Sequence, residues 1–305
     1  VYGLGADALN EDAVRKVFLA KERPADDPLI VHIAHAQQLA PLARQIPQRA
    51  WDLAERFWPG PLTLVLPKTE KVPTVTTGGL DTVAVRAPAH PVARSLIERS
   101  GVPIAAPSAN RFGHPSPTTA QHVWEDLNGR IDLILDGGPT PIGVESTVLD
   151  MTQDPPMVLR PGGVTLEELR EVLGEVRLLD SSASEAAKRS PGTRYRHYAP
   201  RARVLLVERG AAEAFIKRLS GKRIGVLVQR EFPSPQCSPL PQRGEGAGVR
   251  VIEMPHSLKD YARRLFAVLR ELDAQGVDVI IVEKLEERGL GRAIMDRLRR
   301  AAGAG

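Results

Sequence analysis

Apolar segments in this chain are short and well separated. The longest, such as residues 62–66 and 279–282, fall far below the roughly 18 residues that a bilayer crossing requires. Between them lie stretches with apolar residues at helical spacing, so strands and helices alternate and the fold class is α/β. Hydrophobic residues make up 42% of the 305 and charged residues 26%, which excludes disordered and collagen-like classes. Aromatics are only 4%, so Leu, Val, Ile and Ala must build the core. A soluble, cytoplasmic protein of about two domains is expected.

The formal charge is +4 and the sequence pI near 9.3, with no long basic run. This balance tolerates an anionic ligand or RNA without demanding either. The single cysteine, Cys237, excludes an internal disulfide and any multi-cysteine zinc site, and fits a reducing compartment. No secretory signal stands ahead of the first helix. The chain opens at Val1 inside what reads as an ongoing motif, which suggests that residues normally precede it.

Residues 1–179 read as a first domain with a mixed sheet. Asn10 caps a helix carrying Val14, Val17 and Phe18. Strands are expected at 29–33, 62–66, 82–86, 103–106, 131–136, 146–150 and 157–160, the last two as an antiparallel pair. Helices are expected at 50–58, 91–100, 118–127 and 165–173. Ser, Pro and Gly then cluster in a linker, residues 180–200. Residues 201–305 follow with strands at 204–207, 223–228, 249–254 and 277–282 and helices at 211–219, 258–275 and 292–302, which predicts a small parallel, Rossmann-like sheet. Residues 233–248, rich in Pro, Gly, Ser and Gln, read as an insertion.

Several residues could carry chemistry, each with a plainer alternative. Lys21 and Arg23, stiffened by Pro24, could grip a polyphosphate, or simply end a helix in solvent. In the solvated case, replacing either should barely move stability. Pro107-Ser108-Ala109-Asn110 follows an apolar strand and could meet a ligand at its carboxyl end, or form a polar turn. Arg86 and Arg160 end strands and could fork onto a carboxylate or phosphate. His32 interrupts an apolar strand, and Ser146-Thr147 opens another. Phosphate-loop and nucleophile-elbow motifs are absent, and no His/Cys/carboxylate set has metal-ligand spacing, which leaves Mg²⁺ carried by a nucleotide.

Taken in order, Val1-Tyr2-Gly3-Leu4-Gly5, Lys21-x-Arg23-Pro24, Pro28-Leu29-x-Val31-His32, Phe57-Trp58-Pro59-Gly60-Pro61-Leu62-Thr63, Val85-Arg86-x-Pro88, Pro107-Ser108-Ala109-Asn110, Ser146-Thr147-Val148 and Arg160-Pro161-Gly162 resemble the YrdC-like threonylcarbamoyl-AMP synthases. The run from Ser190 to Pro200 resembles the linker signature of the long, two-domain subtype. The resemblance implies a YrdC-like twisted open sheet around a positively charged cavity, with a small Rossmann-like domain after it. It implies that L-threonine, bicarbonate and ATP are joined into L-threonylcarbamoyl-adenylate with release of pyrophosphate. Threonylcarbamoyl-transfer proteins acting on tRNA would be partners, with a weak RNA contact and no membrane.

By the same resemblance Lys21, Arg23, Ser108 and Asn110 hold the polyphosphate and the reacting centre. Asp27, Thr82, Ala106, Ser116, Arg160, Tyr195 and Tyr198 join Arg23 and Ser108 at the nucleotide, and His32, Arg86 and Ser146 bind threonine. The linker, with its turn, tyrosines and cations, reads as a lid and not a passive tether. The family's Pro-Thr-Glu/Asp-Thr, which includes a threonine that contacts the amino-acid substrate, does not precede Val1 here. A non-enzymatic RNA-binding or ribosome-associated module is the alternative. Carbamoyl transfer in hydrogenase maturation lacks its zinc-finger cysteines in this sequence.

Overall fold

The computed structural model describes residues 1–179, 185–192, 197–219, 221–229 and 247–303. The first half contains β1 (Ala6–Asp7), α1 (Glu11–Lys21), β2 (Ile30–His32), α2 (Gln48–Phe57), β3 (Leu62–Pro67), β4 (Thr82–Arg86), α3 (Pro91–Ser100), β5 (Ile104–Ala105), α4 (Ala120–Leu127), β6 (Thr147–Asp150), β7 (Met157–Arg160), α5 (Leu166–Leu173) and β8 (Arg177–Leu178). These strands form one mixed eight-stranded sheet in the order β1-β5-β2-β4-β3-β6-β7-β8. From β2 to β8 parallel pairs (β2 with β4, β3 with β6, β7 with β8) alternate with antiparallel ones.

Local chemistry accounts for the elements. Asn10 accepts from the backbone N–H groups of Asp12 and Ala13, and α1 buries Val14, Val17 and Phe18. It ends where Glu22 takes a left-handed φ of 57°, which turns the chain so that Lys21 and Arg23 both point inward. Thr165 and Glu168 form a reciprocal capping box on α5. The core beneath the sheet is aliphatic, with Leu62, Leu64, Leu66, Val83 and Val85 alternating into it.

The second half comprises β9 (Arg203–Val207), α6 (Ala212–Arg218), β10 (Arg223–Val228), β11 (Gly248–Glu253), α7 (Leu258–Ala274), β12 (Val279–Glu283) and α8 (Leu290–Ala302). Its four strands are all parallel, in the order β11-β10-β12-β9. Leu265, Phe266, Leu269 and Leu272 of α7 and Ile294 and Leu298 of α8 cover one face, and Ala212 and Phe215 of α6 the other. Both faces are buried, so the strands read as continuous apolar runs without alternation.

Two expectations need correction. Residues 131–136 form no strand: Leu133 is 73% and Leu135 43% exposed, while Ile131 and Ile134 pack against Val123 and Leu127 of α4. Apolar content there serves a local contact, and no described strand lies beside it to complete a ladder. Gly248, expected at the end of the insertion, opens β11 opposite Arg223. The rest of that insertion, residues 233–246, lies outside the described residues together with Cys237.

The halves dock through charge and close approach. Arg270 of α7 donates to Asp126 Oδ2 at 2.7 Å and to the Pro115 carbonyl at 2.6 Å. Gly143 (φ 83°) abuts α7 so closely that a Cβ there would stand 2.3 Å from the Ala262 carbonyl oxygen, so only glycine fits.

Candidate active site

Strand ends and the turns beside them converge on one cavity with about 600 Å³ of open space. His32 ends β2, Arg86 ends β4 and Arg160 ends β7; Ala106, Pro107 and Ser108 follow β5; Glu145 and Ser146 precede β6. Arg23 enters from the end of α1, and Pro191, Gly192, His197 and Tyr198 enter from the linker. Gly162 makes the β6–β7 wall possible, since a Cβ there would lie 2.3 Å from the backbone of Ser146 and Thr147.

Three guanidinium groups line this space, and each is held by a neighbour. Arg23 pairs with Asp27 Oδ2 at 2.8 Å and donates to the Pro28 carbonyl at 3.0 Å. Burial would raise the Asp27 carboxyl, but Arg23, the His197 ring 3.7 Å away and the Gly192 N–H together hold it below its ordinary value. Arg86 donates through Nε to the Gly60 carbonyl at 2.9 Å, and burial and the nearby Arg160 lower it to about 10. Arg160 donates to the Ser146 carbonyl at 3.0 Å and the Pro191 carbonyl at 3.1 Å. His32 Nδ1 donates to the Ile30 carbonyl at 3.1 Å. Burial and the charge of Arg86 push its pKa down to about 3, so the ring is neutral at physiological pH.

Arg23, His32, Arg86, Ala106, Ser108, Ser146, Arg160 and Tyr198 therefore line one cavity. Lys21, Asp27, Asn110 and Ser116 stand just behind its wall. Lys21 is only 1% exposed, and its Nζ donates to the carbonyls of Ser108 and Asn110 at 2.5 Å each. Burial, and then Arg23, lower its pKa well below the ordinary lysine value. The solvated reading of Lys21 and Arg23 is thus overturned: α1 is turned inward at its last residue, and Arg23 is 8% exposed. Lys21 fixes the Pro107–Asn110 turn in place. Asn110 Nδ2 donates to the Arg111 and His114 carbonyls, shaping the next loop.

Thr82 is not brought to the cavity. It begins β4, paired with Pro67, whereas Arg86 ends that strand. Four residues of extended chain separate their Cα atoms by about 13 Å. Tyr195 lies outside the described residues.

Sequence reasoning missed Glu145 and His197. Both adjoin residues that were singled out, Ser146 and Tyr198, but nothing in the local pattern marks a glutamate or histidine there as facing a ligand. Glu145 Oε1 accepts from Ser116 Oγ at 2.5 Å and Oε2 from Arg297 Nε at 2.7 Å. Burial would raise its pKa, yet Arg297 and Arg160, with the Ser116 hydrogen bond, hold it at about 2.

Comparison with known proteins decides the family. Residues 1–162 match the family model described as telomere recombination, which covers Sua5, YciO and YrdC, and residues 164–303 match the threonylcarbamoyl-AMP synthase C-terminal domain. Threonylcarbamoyl-AMP synthases of Pyrococcus abyssi and Bacillus subtilis are 52% and 47% identical over 99% of this chain, covering 88% and 87% of their own lengths. The crystal structure of P. abyssi Sua5 complexed with L-threonine superposes with a TM-score of 0.90 at 51% identity, over all of this chain and 88% of the other. This chain belongs to the threonylcarbamoyl-AMP synthase family.

Both regions of this synthase-family chain contribute to the cavity. Arg160 closes the first matched region, while Pro191, Gly192, His197 and Tyr198 come from the second. Tyr198 adopts a left-handed φ of 61°, is 4% exposed and stacks on Phe266 of α7 at 5.4 Å. The four-stranded half thus holds the linker against the site by packing. Among the described residues no helix is long and apolar enough to cross a membrane.

Proposed function

We propose that this chain converts L-threonine, bicarbonate and ATP to L-threonylcarbamoyl-adenylate and pyrophosphate. The observation that carries the reading is the convergence of Arg23, Arg86 and Arg160 on one small cavity in a chain related over nearly its whole length to the synthases. The threonine amine and bicarbonate combine to a carbamate with loss of water. A carbamate oxygen then attacks the α-phosphorus of ATP, and the bond to the β-phosphate oxygen breaks, so that pyrophosphate leaves. No protein nucleophile is required, and the task is to position three anionic reactants and absorb charge on the leaving group.

The residues suit that task. Arg23, locked to Asp27, is a fixed cation for the polyphosphate, and Ser108 presents its hydroxyl beside it. Ala106, Arg160 and Tyr198 complete the nucleotide side of the reading, with Asp27 and Ser116 behind them holding Arg23 and Glu145. Arg86 and Ser146 take the threonine carboxylate and hydroxyl, with the neutral His32 ring against them. Mg²⁺ enters as the complex of ATP. Among the described residues no group of three His, Cys, Asp or Glu side chains could hold a metal, and the two carboxylates at the cavity are already paired with Arg23 and Arg297. The described linker residues Pro191, Gly192, His197 and Tyr198 cover the cavity and shield the labile adenylate from water. The product passes to threonylcarbamoyl-transfer proteins that act on tRNA in the cytoplasm, and the basic balance of the chain allows a weak RNA contact.

The test is pyrophosphate release from Mg·ATP by the purified protein. Release should require threonine and bicarbonate together. Release indifferent to either one overturns the assignment.

A further inference from the structure

Arg297 lies outside the cavity, on α8, yet it touches two groups that line it. Its side chain is fully buried. Its Nε donates to Glu145 Oε2 at 2.7 Å, and its guanidinium carbon stands 5.2 Å from the centre of the Tyr198 ring. Asp296 takes Nη1 at 2.5 Å, which fixes the orientation of the fork. Glu145 and Arg297 are 152 residues apart, one in the loop before β6 and the other on α8 in the second half.

Glu145 is the acidic member of a wall otherwise set up for anions. Arg160 and Arg86 line the same cavity as Glu145, Arg160 is bonded to the carbonyl of the next residue, Ser146, and Ser116 donates to the Glu145 carboxylate. A buried carboxylate without a partner is costly and draws in the nearest cation. Here that cation would be Arg160, which now donates to the Ser146 and Pro191 carbonyls, or Arg86 beyond it. Arg160 drawn onto Glu145 would leave its present seat at the Ser146 and Pro191 carbonyls, and with it the position from which it meets a substrate anion.

We infer that Arg297 is a positioning residue for the reaction: by holding Glu145 from outside the cavity, it leaves Arg160 and Arg86 to the anionic substrates. The four-stranded half then does more than cover the linker. It supplies the counter-charge that keeps the cavity net positive. This rests on reading the cavity as a site for anionic substrates, and on no other part of the proposed function.

The test compares wild type, Arg297→Gln, Arg297→Lys, Glu145→Gln and the Arg297→Gln/Glu145→Gln double variant. Each is measured for KM and kcat in pyrophosphate release and for Kd with ATP by calorimetry. Arg297→Gln should raise KM and Kd for ATP by about tenfold or more, the scale of one charge-assisted hydrogen bond, with the smaller change in kcat. Arg297→Lys should fall between this and wild type. The decisive arm is the double variant, in which the competing carboxylate is also gone: KM and Kd should return to within about threefold of wild type. A merely structural role makes the double variant as poor as, or worse than, Arg297→Gln, and that result overturns the inference, as does an unchanged KM in Arg297→Gln. If Arg297→Gln does not fold, thermal melts read the same compensation, and a double variant no more stable than the single overturns it. Wild-type protein that fails to bind ATP would instead defeat the reading of the cavity.

Discussion

Beside its cavity the eight-stranded sheet buries Lys21, Arg23, Asp27, Glu145 and Arg160, whereas the four-stranded sheet is lined by Val226, Leu227, Ile280 and Ile281 and keeps its buried arginines, Arg297 and Arg300, on α8. In the first half the strand ends carry charge that needs neighbours to hold it. In the second half the strand interiors, sandwiched by helices, are apolar, and among the described residues buried charge stands only at the end of β12, at Glu283, and on α8. Chemistry and packing are therefore divided between the halves, and the division is bridged at Tyr198, Glu145 and Asp126. Substitutions should separate along the same line.

Arg23→Ala tests the charged half most severely. Synthase turnover should fall by at least about 100-fold if, as proposed, Arg23 is the fixed cation for the polyphosphate. Stability should fall as well, by about 3–5 kcal/mol, because Asp27 is left buried without its partner. Steady-state pyrophosphate release and urea unfolding measure the two, and unchanged turnover would break the division outright. Phe266→Ala tests the packed half. It should cost about 3 kcal/mol or more of stability in urea unfolding, while turnover per folded molecule changes less than in Arg23→Ala.

Lys21→Ala sharpens the comparison, because it separates holding a turn from holding a ligand. The Ser108 and Asn110 carbonyls would lose a charged donor, so a loss of about 1.5–3 kcal/mol is expected. A melting temperature equal to wild type would show that the 107–110 turn does not depend on this lysine.

Acid should act on the bridge between halves. Glu145 and Asp126, both about 2 in the folded protein, pair with Arg297 and Arg270 of the other half. Their folded pKa values are depressed, so their contribution is complete above the ordinary carboxyl values of 4.5 and 3.8 and is lost as pH falls from there toward 2. His32 acts in the same direction from higher pH: an unfolded chain protonates it below 6.5, while the folded one resists to about 3. Small-angle scattering between pH 5 and about 2.5 should show the halves separating before far-UV circular dichroism is lost. Simultaneous loss of both signals would mean that the bridge does not yield first.

Much of the fold was legible in order. Strand β4 and helix α3 lie where periodicity placed them, because one has a run of β-branched residues and the other Pro91 at its start and Gly101 at its end. Residues 131–136 have the same apolar character as β4 but form no strand, since a strand is completed by a neighbour and not by its own residues. Among the candidate site residues, Arg86 and Arg160 were singled out from their strand-end positions, and they do line the cavity. Thr82 does not line the cavity, and a motif position carries no information about which end of a strand faces it.

The alternation of short strands and helices, the break near Asp180, the caps at Asn10 and Thr165 and the order of the motifs are local properties, and the sequence by itself determined them. Whether a charge is solvated or buried is not local. Lys21 could have ended a helix in water; only the left-handed turn at Glu22 and the packing of α1 aim it at the Ser108 and Asn110 carbonyls. The pairing of Glu145 with Arg297 was decided by tertiary structure alone. Two residues so far apart meet only after both sheets have formed and docked, and no pattern within either segment encodes the distance between them.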